Sequence, residues 1–247
     1  MLDTGKKFLQ SILQKLLGFE NYLFVFSLFI QQTLRWNSKE GHFNHFLRML
    51  KPHYNVLDVG ANIGIMTSLL AKHCREGSIY AIEPIPNNIQ ALNRMIRFHK
   101  LNNVSVIPSA VGNEMGELEM RMPIIRGVRM QGLSHVHHPQ IEGYEHPYQS
   151  FHVSQRTLDA LFPHAEIHAM KMDVENFEFN VLIGASQLLK RCKPLLYMEL
   201  WDNENRRACM EFLKELGYKP FVYQNRGLVP YENGKHTQHN FFFSHYK

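Results

Sequence analysis

The chain has 247 residues, 45% of them hydrophobic, with three cysteines and a formal net charge of +5. That length buries a full core and suits one α/β domain of roughly 200 residues with an extension. Cys74, Cys192 and Cys209 are odd in number and far apart, which argues against a disulfide framework or a CxxC zinc site and for a reducing, cytoplasmic setting. No lysine and arginine run interleaved with aromatics accompanies the positive charge, so no nucleic-acid partner is expected.

Residues 1–50 read as a helical cap ahead of a domain at 51–247. Phe8, Leu9, Ile12, Leu13, Leu16 and Leu17 fall on one helical face, with Lys6, Lys7, Gln10, Gln14 and Lys15 on the other, an amphipathic helix. Asp3 and the early lysines lead into that pattern rather than into the apolar core of a secretion signal. The apolar stretch Tyr22 to Ile30 is far below the roughly twenty residues that span a bilayer. Phe43, Phe46, Leu47 and Leu50 form a third helical pattern before Lys51 and Pro52. All three predict a cap on the core that follows, and the basic first helix also offers peripheral membrane contact.

NVLDVGANIG, Asn55 to Gly64, is the most informative segment. Val56, Leu57 and Val59 form a short apolar run that fits a parallel strand covered on both faces. Gly60 and Gly64 remove side chains where the backbone turns and a ligand comes close, and Ile65, Met66, Leu69, Leu70 and Ala71 follow at helical spacing. A dinucleotide enzyme would carry GxGxxG here to seat a pyrophosphate, but Ala61 and Asn62 stand where its second glycine belongs. Asp58 is placed to meet a cationic ligand, such as the ammonium group of S-adenosylmethionine, directly or through water. SIYAIEP, Ser78 to Pro84, is a second strand ending in Glu83, about where an acid grips ribose hydroxyls. Pro84 keeps Glu83 extended.

Helical spacing in Ile89, Leu92, Met95, Ile96 and His99 leads to a third strand, Val104 to Pro108. Ser109 and Ala110 open the loop after it, where small residues suit a flat adenine. The stretch Arg121 to His152, rich in Pro, Gly, Arg and His, predicts a lid or hairpin that carries Arg126, Arg129 and His135 toward an acidic or hydroxylated substrate. Its histidines, including His137, His138, His146 and His152, have no acid at tight ligand spacing, so no zinc site is expected. In the fourth strand Met170 and Met172 run into Asp173, followed by Glu175 and Glu178 before a helix. Capping and the helix dipole account for one of these three carboxylates.

The blocks VLDVGANIG, YAIEP, SAVG and KMDVENFEFNVLIGA, in that order, resemble the FkbM-type family of S-adenosylmethionine-dependent methyltransferases. The family shows Asp-x-Glu-Gly-x-Glu at the fourth block; Asp173, Glu175 and Glu178 match it, and Asn176 replaces the glycine. Asparagine tolerates positive φ better than most residues. The resemblance implies an α/β, Rossmann-like class I methyltransferase fold: a seven-stranded, mostly parallel sheet with helices on both faces and an antiparallel edge. LLYMELW (Leu195 to Trp201) supplies its fifth strand, and KPFVYQ and NFFFSHY close it around the turn-rich QNRGLVPYENGK. It also implies methyl transfer to an oxygen of a saccharide or secondary metabolite. Cofactor contacts fall to Asp58, Gly60, Asn62, Gly64, Glu83, Pro84, Ser109, Ala110 and Asp173. Asp173 and Glu175 are candidates for base or divalent-cation ligand, and Glu199 for the substrate. A cofactor-binding assembly protein without catalysis, an RNA methyltransferase and a dehydrogenase with an altered glycine loop are the alternatives.

Overall fold

The computed structural model describes residues 2–34, 41–136 and 146–245. Three helices come first, α1 (Leu2–Leu17), α2 (Phe19–Leu34) and α3 (Gly41–Met49). An alternation of strand and helix follows: β1 (Val56–Val59), α4 (Ile65–His73), β2 (Ile79–Ile82), α5 (Pro86–Phe98) and β3 (Val104–Ile107). Pro86 stands at the start of α5, where its missing N–H is not needed. Next come β4 (Ala110–Val111), β5 (Gly116–Ile125), β6 (Val128–Arg129), β7 (His135–Val136), β8 (Tyr148–Arg156) and α6 (Leu158–Leu161). The chain finishes with β9 (Ala169–Met172), α7 (Glu178–Ile183), α8 (Ser186–Cys192), β10 (Leu195–Glu199), α9 (Glu204–Glu215), β11 (Lys219–Gln224), β12 (Gly227–Pro230) and β13 (Asn240–Ser244).

The main sheet runs β12-β11-β13-β10-β9-β1-β2-β3. Its β3, β2, β1, β9 and β10 pair in parallel, and β13, β11 and β12 add antiparallel partners. β1 and β9 are buried at every position, as strands covered on both faces must be. Eight strands stand where the sequence predicts seven. The extra one is β12, inside the segment read as turn: Asn225 and Arg226 take φ of 52° and 67°, the two positive values of a tight hairpin turn that pairs Gln224 with Gly227.

The stretch read as a lid or hairpin is part of a second sheet, β4-β8-β5-β6, with β7 also on β5. β5 and β8 pair antiparallel from Gly116 opposite Gln155 to Pro123 opposite Tyr148. His137 and His138 lie outside the described residues.

The three N-terminal helices behave differently. Phe43 and Phe46 of α3 are buried against Tyr197 and Phe242 on one face of the main sheet, and α2 packs on α5 and α4. α1 packs on α2 and β6, with most of its apolar face pointing away from the protein. It is held by Leu13, which packs against the core, and by polar Gln14, which donates to the Arg129 carbonyl at 3.1 Å and accepts the Arg129 N–H at 3.1 Å.

Candidate functional site

Sheet register sets the centre of the site. Asp58 on β1 lies opposite Lys171 on β9, and Lys171 opposite Tyr197 on β10, so the three side chains share a face. Lys171 is buried, and its Nζ donates to the Gly60 carbonyl at 2.9 Å. It lies 3.4 Å from Asp58 Oδ1 and 3.8 Å from Asp173 Oδ2. Burial pulls the Lys171 pKa down, but the carboxylates of Asp58 and Asp173 outweigh it and hold the ammonium above the usual lysine range. Thr67, in the first turns of α4, donates to Asp58 Oδ2 at 2.6 Å. Asp58 is buried and does not line the crevice; Lys171 is its counter-charge, and its Oδ1 has no hydrogen-bond partner among the described residues. Lys171 was missed in the sequence, although a lysine between two methionines in a buried strand was a signal.

The glycine turn has a packing reason. A Cβ on Gly60 would stand 1.9 Å from the Asp173 carbonyl oxygen, and Gly60 has φ of 76°. Gly64, with φ of 83°, would meet Leu92 at 2.7 Å. Asn62 between them has φ of 50°, which asparagine tolerates. These glycines admit the next strand's backbone and a neighbouring helix to the turn. Gly64, like Asp58, does not line the crevice.

Along the carboxyl ends of β1, β2, β3 and β9 runs a crevice of about 620 Å³, open mouth included. Gly60, Asn62, Glu83, Pro84, Ser109 and Ala110 all line it, as do Asp173 and Glu175. Glu83 is buried and accepts from the Asn62 N–H (2.9 Å), the Ile85 N–H (2.9 Å) and the Asn88 side-chain amide (3.1 Å). Its carboxyl is raised by burial, against the pull of those hydrogen bonds. A carboxylate has about four acceptor positions, so roughly one remains. Asn88 also lines the crevice, and its Oδ1 is buried with no hydrogen-bond partner among the described residues. Met120, Val136 and Phe177 supply apolar wall. The Ser109 hydroxyl faces the carbonyls of Ala110 and Ser154.

Glu175 and Asn176 take consecutive left-handed conformations, φ 52° and 70°, so asparagine fills the glycine's backbone role. Asn176 Oδ1 accepts from the Asn203 amide at 2.6 Å. Burial first, then the charges of Asp173, Glu199 and Glu178, push the Glu175 carboxyl up to about 8. Glu178 accepts the Val174 N–H at 3.2 Å and the Asn205 amide at 2.5 Å, fixing the corner between β9 and α7. Burial raises it to about 7.

Arg126, Arg129 and His135 line neither this crevice nor the cavity beside it. Arg126 and Gly127, with φ of 54° and 76°, make the turn between β5 and β6. The Arg129 guanidinium lies 3.9 Å over the Phe19 ring, and His135 Nδ1 is 3.0 Å from the Leu133 carbonyl. Their segment contributes Gln131, Gly132 and Ser134 to the crevice rim instead, small and uncharged residues that carry no sequence signal of a site.

A second cavity, about 650 Å³ with its mouth, is lined by His42, Lys171, Asp173, Tyr197, Glu199 and Asn240 among others. Asp173 lines both spaces. The Tyr197 hydroxyl donates to Asn240 Oδ1 at 2.9 Å and lies 2.5 Å from His42 Nδ1. Among the described residues no three His, Cys, Asp or Glu side chains form a metal set.

The family model described as the methyltransferase FkbM domain matches residues 58–220. A solved methyltransferase FkbM from Methylobacillus flagellatus KT superposes with a TM-score of 0.54 at 15% identity, over 79% of this chain and 44% of that one. The present chain thus covers less than half the length of that protein. A precorrin-6y C5,15-methyltransferase from Geobacter metallireducens GS-15 gives a TM-score of 0.48 at 10% identity, over 84% and 88% of the two chains. An rRNA methylase from Streptococcus thermophilus gives 0.48 at 13%, over 82% and 92%. No curated protein matches the chain in sequence.

Lys171→Met leaves Asp58 buried without its counter-charge and should cost about 3–5 kcal/mol of stability, read from the denaturant midpoint; an unchanged midpoint would deny the pair its structural role. Glu175 near 8 and Glu178 near 7 both stand above the ordinary 4.5, so the folded state holds protons that the unfolded chain has released. Their contribution to stability is full below about pH 4.5 and fades as pH rises to 8. Thermal melts should show this decline, and Glu175→Gln should flatten its upper part.

Proposed function

The chain belongs to the methyltransferase FkbM domain family, and we propose that it is an S-adenosylmethionine-dependent enzyme methylating a hydroxyl of a saccharide or secondary metabolite. The observation that carries the cofactor reading is the pairing, in one crevice, of a Glu83 carboxylate with an acceptor position left and an Asn88 carbonyl with no partner among the described residues. Glu83 suits ribose hydroxyls, and Met120, Val136 and Phe177 suit the flat apolar faces of a purine. Glu175 and Asp173 lie at the other end of the series of strand ends and suit a cationic group. When bound, the cofactor supplies an electrophilic methyl group on a positively charged sulfur.

The acceptor's place in this reading is the second cavity, where Glu199, Asn240 and His42 offer hydrogen bonds to a polyhydroxylated molecule. Asp173, common to both cavities, is the group that orients the reacting hydroxyl and takes its proton. Glu175 holds its own proton below about pH 8, so it serves as a base only above that pH. Below it, Glu175 is a hydrogen-bond donor that a neighbouring cation drives toward ionisation. Proximity and alignment at this junction account for most of the expected rate gain.

Calorimetric titration with S-adenosylmethionine should give micromolar affinity, with NAD as a silent control. Glu83→Ala should weaken that affinity at least tenfold in a protein that still melts cooperatively; unchanged affinity would remove Glu83 from the site. With a panel of hydroxylated acceptors, Asp173→Asn should lower kcat by about 10²-fold or more. Turnover at the parental rate would transfer the proton-accepting role to another group.

A further inference from the structure

The first helix is turned inside out. A surface helix ordinarily buries its apolar stripe and shows water its polar face. In α1 the most apolar side chains face solvent: Leu16 is 77% exposed, Phe8 69%, Leu9 57% and Ile12 37%. Polar Gln14 is 7% exposed, clamped to the Arg129 backbone from both its amide oxygen and its amide nitrogen. That two-way hydrogen bond, with Leu13 beside it packed against the core, fixes the helix's rotation and leaves the rest of the apolar stripe outward.

We propose that α1 seats this chain on an anionic membrane surface. Positions 8, 12 and 16 recur at four-residue intervals, one above the next, and Leu9 widens the row into a stripe. Lys15, exposed, lies two turns from Phe8 on the edge of the stripe. Through its sixteen residues α1 carries Lys6, Lys7 and Lys15 against a single acid, Asp3. Apolar side chains entering the acyl boundary, with lysines at the level of the phosphates, are how such a helix lies in a membrane plane. That charge balance selects an anionic lipid surface over a neutral one, and over a second copy of this basic chain. No helix among the described residues is long and apolar enough to cross a membrane, so the contact is one of lying on the surface.

The seating has a place in the reading of the site. β6, to which Gln14 binds, leads within two residues into Gln131 and Gly132 on the crevice rim. The membrane contact stands by itself if the methyltransferase reading fails, since its readout is binding to lipid.

The test is flotation of the purified full chain with phosphatidylcholine vesicles and with vesicles containing one third phosphatidylglycerol. The expected result is binding to the anionic vesicles only, weakened by raised salt. The double substitution Phe8→Ser and Leu16→Ser should cut the bound fraction at least tenfold while the melting temperature stays within a few degrees, because neither side chain is packed in the core. Lys15→Glu should also weaken it. Equal recovery with neutral and anionic vesicles, or binding that survives the double substitution, would overturn the proposal. So would light scattering that shows a dimer which the double substitution turns into a monomer, since a second copy would then own the stripe.

Discussion

A single buried ammonium, that of Lys171, organises this molecule's working end. It sits in the middle strand register between β1 and β10, answers Asp58, touches the Gly60 carbonyl and faces Asp173. Charge removed from water is costly unless it is paired and hydrogen-bonded, and here the partners come from β1, from the glycine turn after it and from the end of β9. The glycine turn, the end of β9 and the wall of the second cavity are thereby tied to one atom. The Asp173 carbonyl pressed into the space where Gly60 lacks a side chain does the same from the backbone side. Asp173 is also the residue common to the two cavities.

Much of the fold was legible because its signals are local. Short, largely apolar runs, each closed by an acid or a glycine, marked β1, β2 and β9 in their right places. Asn176 could be read as a stand-in for glycine because backbone preference belongs to the residue itself, and its φ of 70° agrees. The partner of Asp58 was not legible. Pairing of β1 with β9 spans more than a hundred residues of sequence, and only sheet register brings Lys171 beside Asp58. The same limit applied to Arg126, Arg129 and His135, whose charge suggested a ligand while their surroundings gave them turn, stacking and packing duties.

The first helix shows a different limit. Periodicity reports that a helix has two unlike faces and says nothing of which one the protein takes. Beside Leu13, the inward face of α1 carries Gln14, whose side-chain amide has a donor and an acceptor at the spacing of a peptide group. No pattern of hydrophobicity records that match.

The Gln14 clasp also bears on β6, which stands at the outer end of its sheet. An end strand leaves a row of N–H and C=O groups able to recruit a strand from another molecule, which is a common origin of edge-to-edge aggregation. Gln14 consumes both such groups of Arg129 with a side chain, and a side chain cannot be extended into a further strand. The helix thus acts as a stopper on the second sheet. Material lacking its first eighteen residues would lose that stopper as well as the stripe, so poor solubility of a truncated form would report an unguarded sheet end rather than a failed core.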